Sequence, residues 1–207
     1  MKTLFIPVKS KAKLNSKKVL EISSKLPKSI AIAYSIQYKE IAEQIKKILS
    51  DKHNITKITQ VLGCSKPLFS KQTKAILIIT DGEFHATSLA FETKLPVYIL
   101  NSNKFEKISE KSIELLEKKQ KASYVRYLNS KEIGILVSTK PGQQRLNRAI
   151  NFKKNLKNKK PYLFISNNLN PNEFENFGLK CFVNTSCPRM DLEDSRIINL
   201  NTLNNLN

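Results

Sequence analysis

Ala75-Ile76-Leu77-Ile78-Ile79 decides the fold. Five apolar residues in a row are apolar on both faces of a strand, as a central strand of a parallel sheet must be when helices cover both sides. The run exits into Thr80-Asp81-Gly82-Glu83-Phe84-His85, and on either side of it strand and helix patterns alternate. Upstream, 29–34 reads as a short apolar strand. Ile41, Ile45, Ile48 and Leu49 recur at helical spacing over 36–49, and 55–62 is a β-branched strand ending at Gly63-Cys64. Downstream come a short crossover at 66–72 with one helical turn after Pro67, a helix over 86–92 and a strand over 96–100. At the start, 3–8 reads as a first strand, and Ser16 is expected to cap a helix over 17–25 that Pro27 breaks.

A long helix over 106–123, with Ile108, Ile113, Leu115 and Leu116 on its apolar side, precedes a second alternation. Strand 133–137 exits into Ser138-Thr139-Lys140-Pro141-Gly142-Gln143. Helix 145–156, strand 161–165 and a helical turn at 171–177 stopped by Gly178 follow. Strand 180–185 leads to Cys187, and the asparagine-rich tail, 197–207, adds a strand and a weak turn that frays. The expected class is α/β: two consecutive parallel-sheet α/β units with flanking helices and right-handed crossovers. The expected domains are 1–106 carrying Cys64, a connecting helix 107–126, and 127–207 carrying Cys187, with no close sequence repeat between them.

The 207 residues suffice for one or two domains with real cores, and 40% hydrophobic content is ordinary. No apolar run reaches the roughly 18 residues a membrane span needs. The apolar run near Met1 is too short for a signal sequence, so no membrane is involved and a cytoplasmic location is expected. Formal net charge is +19, mostly from lysines spread over nearly every segment. Such a surface attracts nucleic acid or an acidic protein. A lysine- and asparagine-rich proteome encoded by an AT-rich genome accounts for the same numbers, and no RNA-recognition motif, zinc-finger spacing or basic helix-turn-helix is present.

Three cysteines in a cytosolic chain leave burial, nucleophilic chemistry and metal ligation open. Cys181 lies inside a predicted strand and reads as buried. A fully extended chain would hold it about 20 Å from Cys187, six residues on. Cys64 and Cys187 each follow a strand and adjoin a residue that stops pairing, Gly63 or Pro188. Two thiolates are too few for tetrahedral zinc. Asp81 to His85 offers carboxylates and an imidazole at a strand exit, or simply a turn with a solvent-facing histidine. Ser138 to Gln143 reads as a loop at a helix N-terminus whose N–H groups suit a carboxylate; its Gly/Lys order excludes a Walker loop. All four runs follow predicted strands, where open parallel sheets bind ligands.

Four runs in order, Val61-Leu62-Gly63-Cys64, Asp81-Gly82-Glu83-Phe84-His85, Ser138-Thr139-Lys140-Pro141-Gly142-Gln143 and Asn184-Thr185-Ser186-Cys187-Pro188-Arg189, resemble the archaeal enzymes of the first step of diphthamide biosynthesis. Ile6-Pro7-Val8 and the strand exit over 32–37 also fit, so the resemblance covers nearly the whole chain. It implies three α/β domains, each giving one cysteine to a [4Fe-4S] cluster. It also implies unconventional cleavage of S-adenosylmethionine, transfer of the 3-amino-3-carboxypropyl group as a radical to a histidine of elongation factor 2, and, in archaeal members, a homodimer. Carried over, the metal ligands are Cys64 and Cys187. Ser138, Thr139, Gly142 and Gln143 would hold the amino-acid end of S-adenosylmethionine, with His85 and Arg189 touching substrate or orienting loops.

The sequence starts where the family's second domain starts, so the third cysteine is expected from a partner chain carrying the first domain. Three readings follow from the resemblance: one component of an active transferase assembled from separate chains, a non-catalytic accessory subunit of a complete homologue in a homo- or hetero-oligomer, or a basic RNA- or protein-binding module on a retained scaffold.

Overall fold

The computed structural model describes residues 4, 6, 9–11, 15–62, 67–101 and 104–206. It divides into two compact units, Met1–Glu114 and Leu115–Asn207. In the first, helix α1 (Ser16–Ser23) precedes β1 (Ser29–Tyr34), a 3-10 turn (Ile36–Tyr38), α2 (Lys39–Leu49), β2 (Asn54–Gln60), β3 (Ala75–Ile79), α3 (Glu83–Thr93), β4 (Val97–Leu100) and β5 (Phe105–Lys107). The sheet order is β2-β1-β3-β4-β5. The first four strands are parallel and β5 is antiparallel to β4.

The both-face apolar character of 75–79 now has its cause. Ala75, Leu77 and Ile79 pack with Ile30, Ile32 and residues of α1 and α2 on one face. Ile76 and Ile78 pack with Ala31, Ala33, Val97 and residues of α3 on the other. All five β3 residues are buried.

Helix α4 (Glu110–Asn129) contains the division between the units. The second unit continues with β6 (Glu132–Ser138), α5 (Leu146–Asn155), β7 (Lys160–Ser166), a 3-10 segment (Pro171–Phe177), β8 (Phe182–Asn184), α6 (Met190–Glu193), β9 (Ile197–Asn199) and α7 (Leu200–Leu206). Its sheet order is β7-β6-β8-β9, all parallel. Ile133, Cys181, Val183 and Ile198 form one apolar face with Tyr127 and α7's Leu203. On the opposite face Leu136, Phe164, Phe182 and Ile197 meet Phe174. Lys159 closes the end of α4: its ammonium donates to the carbonyls of Tyr127 (2.7 Å), Leu128 (3.0 Å) and Ser130 (2.7 Å). The last carbonyls of a helix lack N–H partners four residues on, and a cation suits the negative end of the helix dipole; the Tyr127 carbonyl also accepts from the Ser130 N–H at 3.3 Å. At least one of the many lysines therefore has a structural task.

The α/β class with parallel sheets and flanking helices is as expected, with several local differences. The sheet of the first unit is mixed: a turn closed by the Asn101 N–H on the Lys104 carbonyl at 3.0 Å reverses the chain, and Phe105 then stacks on Tyr98 (centroids 5.6 Å apart). The long helix therefore starts at Glu110 rather than at 106 or 107. Asn15, not Ser16, caps α1, accepting from the Lys18 N–H at 3.2 Å. Described residues 67–72 contain no helical turn. Of the strand expected over 3–8, Leu4 and Ile6 are described; both are exposed and belong to no strand, and the rest lies outside the described residues. The tail forms β9 and α7, with Ile197, Ile198, Leu200 and Leu203 buried. No helix among the described residues is long and apolar enough to cross a membrane.

Candidate functional site

Both sheets share one arrangement: the second strand of each unit lies on one side of the first, and the third lies on the other. Connections from the first and third strands therefore leave in opposite directions, and the seam at the carboxyl ends of two such strands is the usual place for a ligand in open parallel sheets.

In the second unit this seam lies between β6 and β8. The Thr185 hydroxyl and N–H both donate to the Leu136 carbonyl, at 2.8 and 3.1 Å. The Ser138 N–H donates to the Ser186 hydroxyl at 2.8 Å. The structure thus joins the 138–143 run to the 184–189 run. Beyond the seam, the buried Asn184 side chain organises the turn. Its oxygen accepts from the Ser186 N–H (2.9 Å), and its amide donates to the Cys187 carbonyl (2.7 Å) and to Asn199 Oδ1 (2.6 Å). Asn199 in turn donates to the Pro188 carbonyl at 2.8 Å. Cys187 is half-buried on this fixed turn, and Arg189 is exposed two residues on.

Residues 138–143 differ from the expected helix-terminal loop. Lys140 to Gln143 form a tight turn closed by the Gln143 N–H on the Lys140 carbonyl at 3.0 Å. Pro141 and Gly142 at its centre, with Gly142 at φ +78°, give the type II arrangement. Helix α5 starts only at Leu146. The Thr139 N–H is bound to the Ser166 carbonyl (3.0 Å) and the Lys140 N–H to the Ser138 hydroxyl (3.1 Å). The N–H groups of Ser138, Thr139, Lys140 and Gln143 are therefore engaged inside the protein. Thr139 and Gly142 are exposed, and Gln143 is half-buried.

In the first unit the seam lies between β1 and β3, where buried Ser35 donates to buried Thr80 at 3.4 Å. Tyr38 is buried beside it; burial, then its hydrogen bond to Asp81, raise its hydroxyl above the usual range. The 81–85 run is not a free turn: Gly82 is the N-cap and α3 begins at Glu83, where a carboxylate suits the helix dipole. His85 is half-buried in its first turn, edge-on to Phe84 with centroids 5.4 Å apart. Val61 is buried at the exit of β2, but Gly63 and Cys64 lie outside the described residues.

Cys181 is fully buried among Ile133, Val183 and Ile198. The 20 Å separation does not follow, because β8 ends at Asn184 and the chain turns before Cys187. Burial keeps Cys181 away from solvent and pushes its thiol from the ordinary 9.0 up to about 12. A thiol pKa raised by folding stabilises fully below pH 9.0, and that contribution is lost as pH rises towards about 12, at about 1.4 kcal/mol per pH unit. Urea titrations across this window should show a steeper fall in the native chain than in Cys181→Ala, since the raised hydroxyls of Tyr38 and Tyr127 add a slope to both; equal slopes would contradict it.

Asn199 has no part in the sequence reading. Its signal was nonetheless present: Phe182-Val183-Asn184 and Ile197-Ile198-Asn199 are matching apolar pairs ending in asparagine, and the two asparagines are register partners.

A family model described as "Putative diphthamide synthesis protein" matches residues 1–197. A 2-(3-amino-3-carboxypropyl)histidine synthase of Pyrococcus horikoshii is 32% identical over 139 residues, 65% of this chain and 40% of that protein. The crystal structure of Dph2 from Pyrococcus horikoshii shares the fold, with a TM-score of 0.81 at 24% identity, over 96% of this chain and 63% of that one. Dph2 from Pyrococcus horikoshii with a 4Fe-4S cluster gives a TM-score of 0.78 at 26% identity, over 92% and 60%. The chain thus spans between 40% and 63% of the length of these relatives.

Proposed function

The chain belongs to the diphthamide synthesis family, and from that premise we propose that it is part of a cytoplasmic 2-(3-amino-3-carboxypropyl)histidine synthase. The assembly transfers the 3-amino-3-carboxypropyl group of S-adenosylmethionine to a histidine of elongation factor 2. The observation that carries this reading is Cys187, a half-buried thiol on a hydrogen-bonded turn at the ligand-binding edge of a parallel sheet.

Cys187 fits a cluster ligand: its backbone is fixed before any metal arrives, and its side chain is not sealed in the core. Cys64 supplies a second thiolate. Cys181 is excluded by burial, so a third thiolate comes from polypeptide outside these 207 residues. These thiolates would hold a [4Fe-4S] cluster, as cysteines commonly do, and such a cluster would supply an electron for cleavage of a carbon–sulfur bond of S-adenosylmethionine.

The chain's own polar groups orient the substrate. Four N–H groups of 138–143 are engaged within the protein, so the amino-acid end is held by the Thr139 hydroxyl, the Gln143 amide and the Gly142 N–H. A side chain at Gly142 would meet no atom within 4 Å, which leaves that edge open. Exposed Arg189 would offer a cation to the substrate carboxylate, and His85 would touch substrate or orient its own loop.

The test is anaerobic reconstitution with the polypeptide that supplies the third thiolate, followed by label transfer from S-adenosylmethionine to elongation factor 2. Cys64→Ala and Cys187→Ala each abolish transfer, whereas Cys181→Ala retains it. Transfer by the Cys187→Ala assembly sinks the reading. Full cluster absorption from these 207 residues alone sinks the external third ligand.

A further inference from the structure

Cys187 owes its place to two buried amides on neighbouring strands. The carbonyls of Cys187 and Pro188, one on the thiol-bearing residue and one next to it, each accept from a strand-end asparagine: Asn184 at 2.7 Å and Asn199 at 2.8 Å. The amides are joined to each other at 2.6 Å and are only 3% and 9% exposed. Asn199 must accept from Asn184 and donate to Pro188 at once, without charge. An aspartate keeps the acceptor and loses the donor, and an aliphatic residue loses both. Water competes poorly at buried sites, so these bonds hold the turn more firmly than exposed ones would.

We propose that Asn199 is a positioning residue for Cys187, acting through the backbone of the turn that carries the thiol. This deepens the reading of Cys187 as a cluster ligand and rests on it. In the assembled enzyme, Asn199 fixes the ligand's backbone so that metal binding does not first have to order the turn.

Cys181 provides the control. It packs against Val183 and Ile198, on the same two strands that carry Asn184 and Asn199. General loosening of β8 and β9 therefore exposes Cys181, whereas release of the turn alone exposes only Cys187. The experiment is iodoacetamide labelling of the cluster-free chain, with each cysteine read separately by peptide mass. In the native chain Cys187 reacts and Cys181 does not.

Asn199→Asp is expected to speed Cys187 labelling by about tenfold or more, the order expected for one lost buried hydrogen bond, with Cys181 still protected. An unchanged Cys187 rate overturns the proposal. If both thiols become reactive, the milder Asn199→Ser decides by the same criterion, and exposure of both there also overturns it. In the reconstituted assembly, Asn199→Asp should also shift the electron paramagnetic resonance g-values of the cluster. The labelling needs no metal, so its result stands even if Cys187→Ala leaves label transfer intact and the functional reading falls.

Discussion

Gly134→Val is expected to destabilise the second unit more than any other single change considered for it. Gly134 lies mid-strand in β6, opposite Phe182 on one side and Tyr162 on the other. A Cβ there would sit 2.4 Å and 2.7 Å from two ring carbons of Phe182 and 3.0 Å from one of Phe164. Neither ring has room to retreat. Phe182 is 1% exposed and packs with Phe164 and Phe174, and Phe164 also meets Phe177 edge-on at 5.0 Å. The glycine is therefore the space into which an aromatic cluster is fitted. Overpacking of this kind costs on the order of 3 kcal/mol or more for valine, a large share of the roughly 5–15 kcal/mol that holds a typical protein folded. Urea denaturation should show a loss near that size. Pairing Gly134→Ala with Phe182→Leu should recover much of the single-variant loss, because the two sites share one volume. A loss below about 1 kcal/mol for valine would contradict the packing.

The second large effect is expected in the first unit. Leu77→Ala removes a fully buried side chain from the middle of β3, between Ile32 of β1 and Tyr98 of β4 in register. The leucine faces the core formed with Ala42, Ile45 and Leu49 of α2. Neighbours fixed in a parallel sheet cannot close the cavity, so the cost is about 3–5 kcal/mol. Amide hydrogen exchange should show lost protection in β1, β3 and α2, while β6 and β8 serve as the reference. Protection unchanged in β1 and β3 would contradict the assignment. Since β3 leads directly into Thr80 and Asp81, the same change should loosen the Tyr38–Asp81 contact.

The sequence features that proved legible are those where local chemistry and burial agree. The run of 75–79 is apolar on both faces because α1 and α2 cover one side of it and α3 the other. Pro141-Gly142 is turn chemistry and makes a turn, although helix α5 starts later than its polar lead suggests. What escaped the reading depends on partners distant in sequence. Three residues, Phe105–Lys107, form a strand through the turn that Asn101 and Lys104 close and the stack of Phe105 on Tyr98. Glu83 opens a helix within a run that looked like a loop, because the helix dipole favours a carboxylate there. The asparagines of the tail read as fraying residues, yet Asn199 is 9% exposed and bonded to both Asn184 and Pro188. The motif containing Cys187 was visible, but the strand that braces it lies beyond the motif's end.

The two units close the seam between first and third strands with hydroxyl groups: Ser35 with Thr80 in one, and Thr185 and Ser186 with the β6 backbone in the other. An apolar seam, once parted, would leave bare hydrocarbon facing water. A hydroxyl-stitched one can exchange each stitch for a bond to a guest molecule's oxygen or nitrogen. Each half of the chain thus carries, at that seam, groups that could bond a polar visitor without unravelling the strands beneath it.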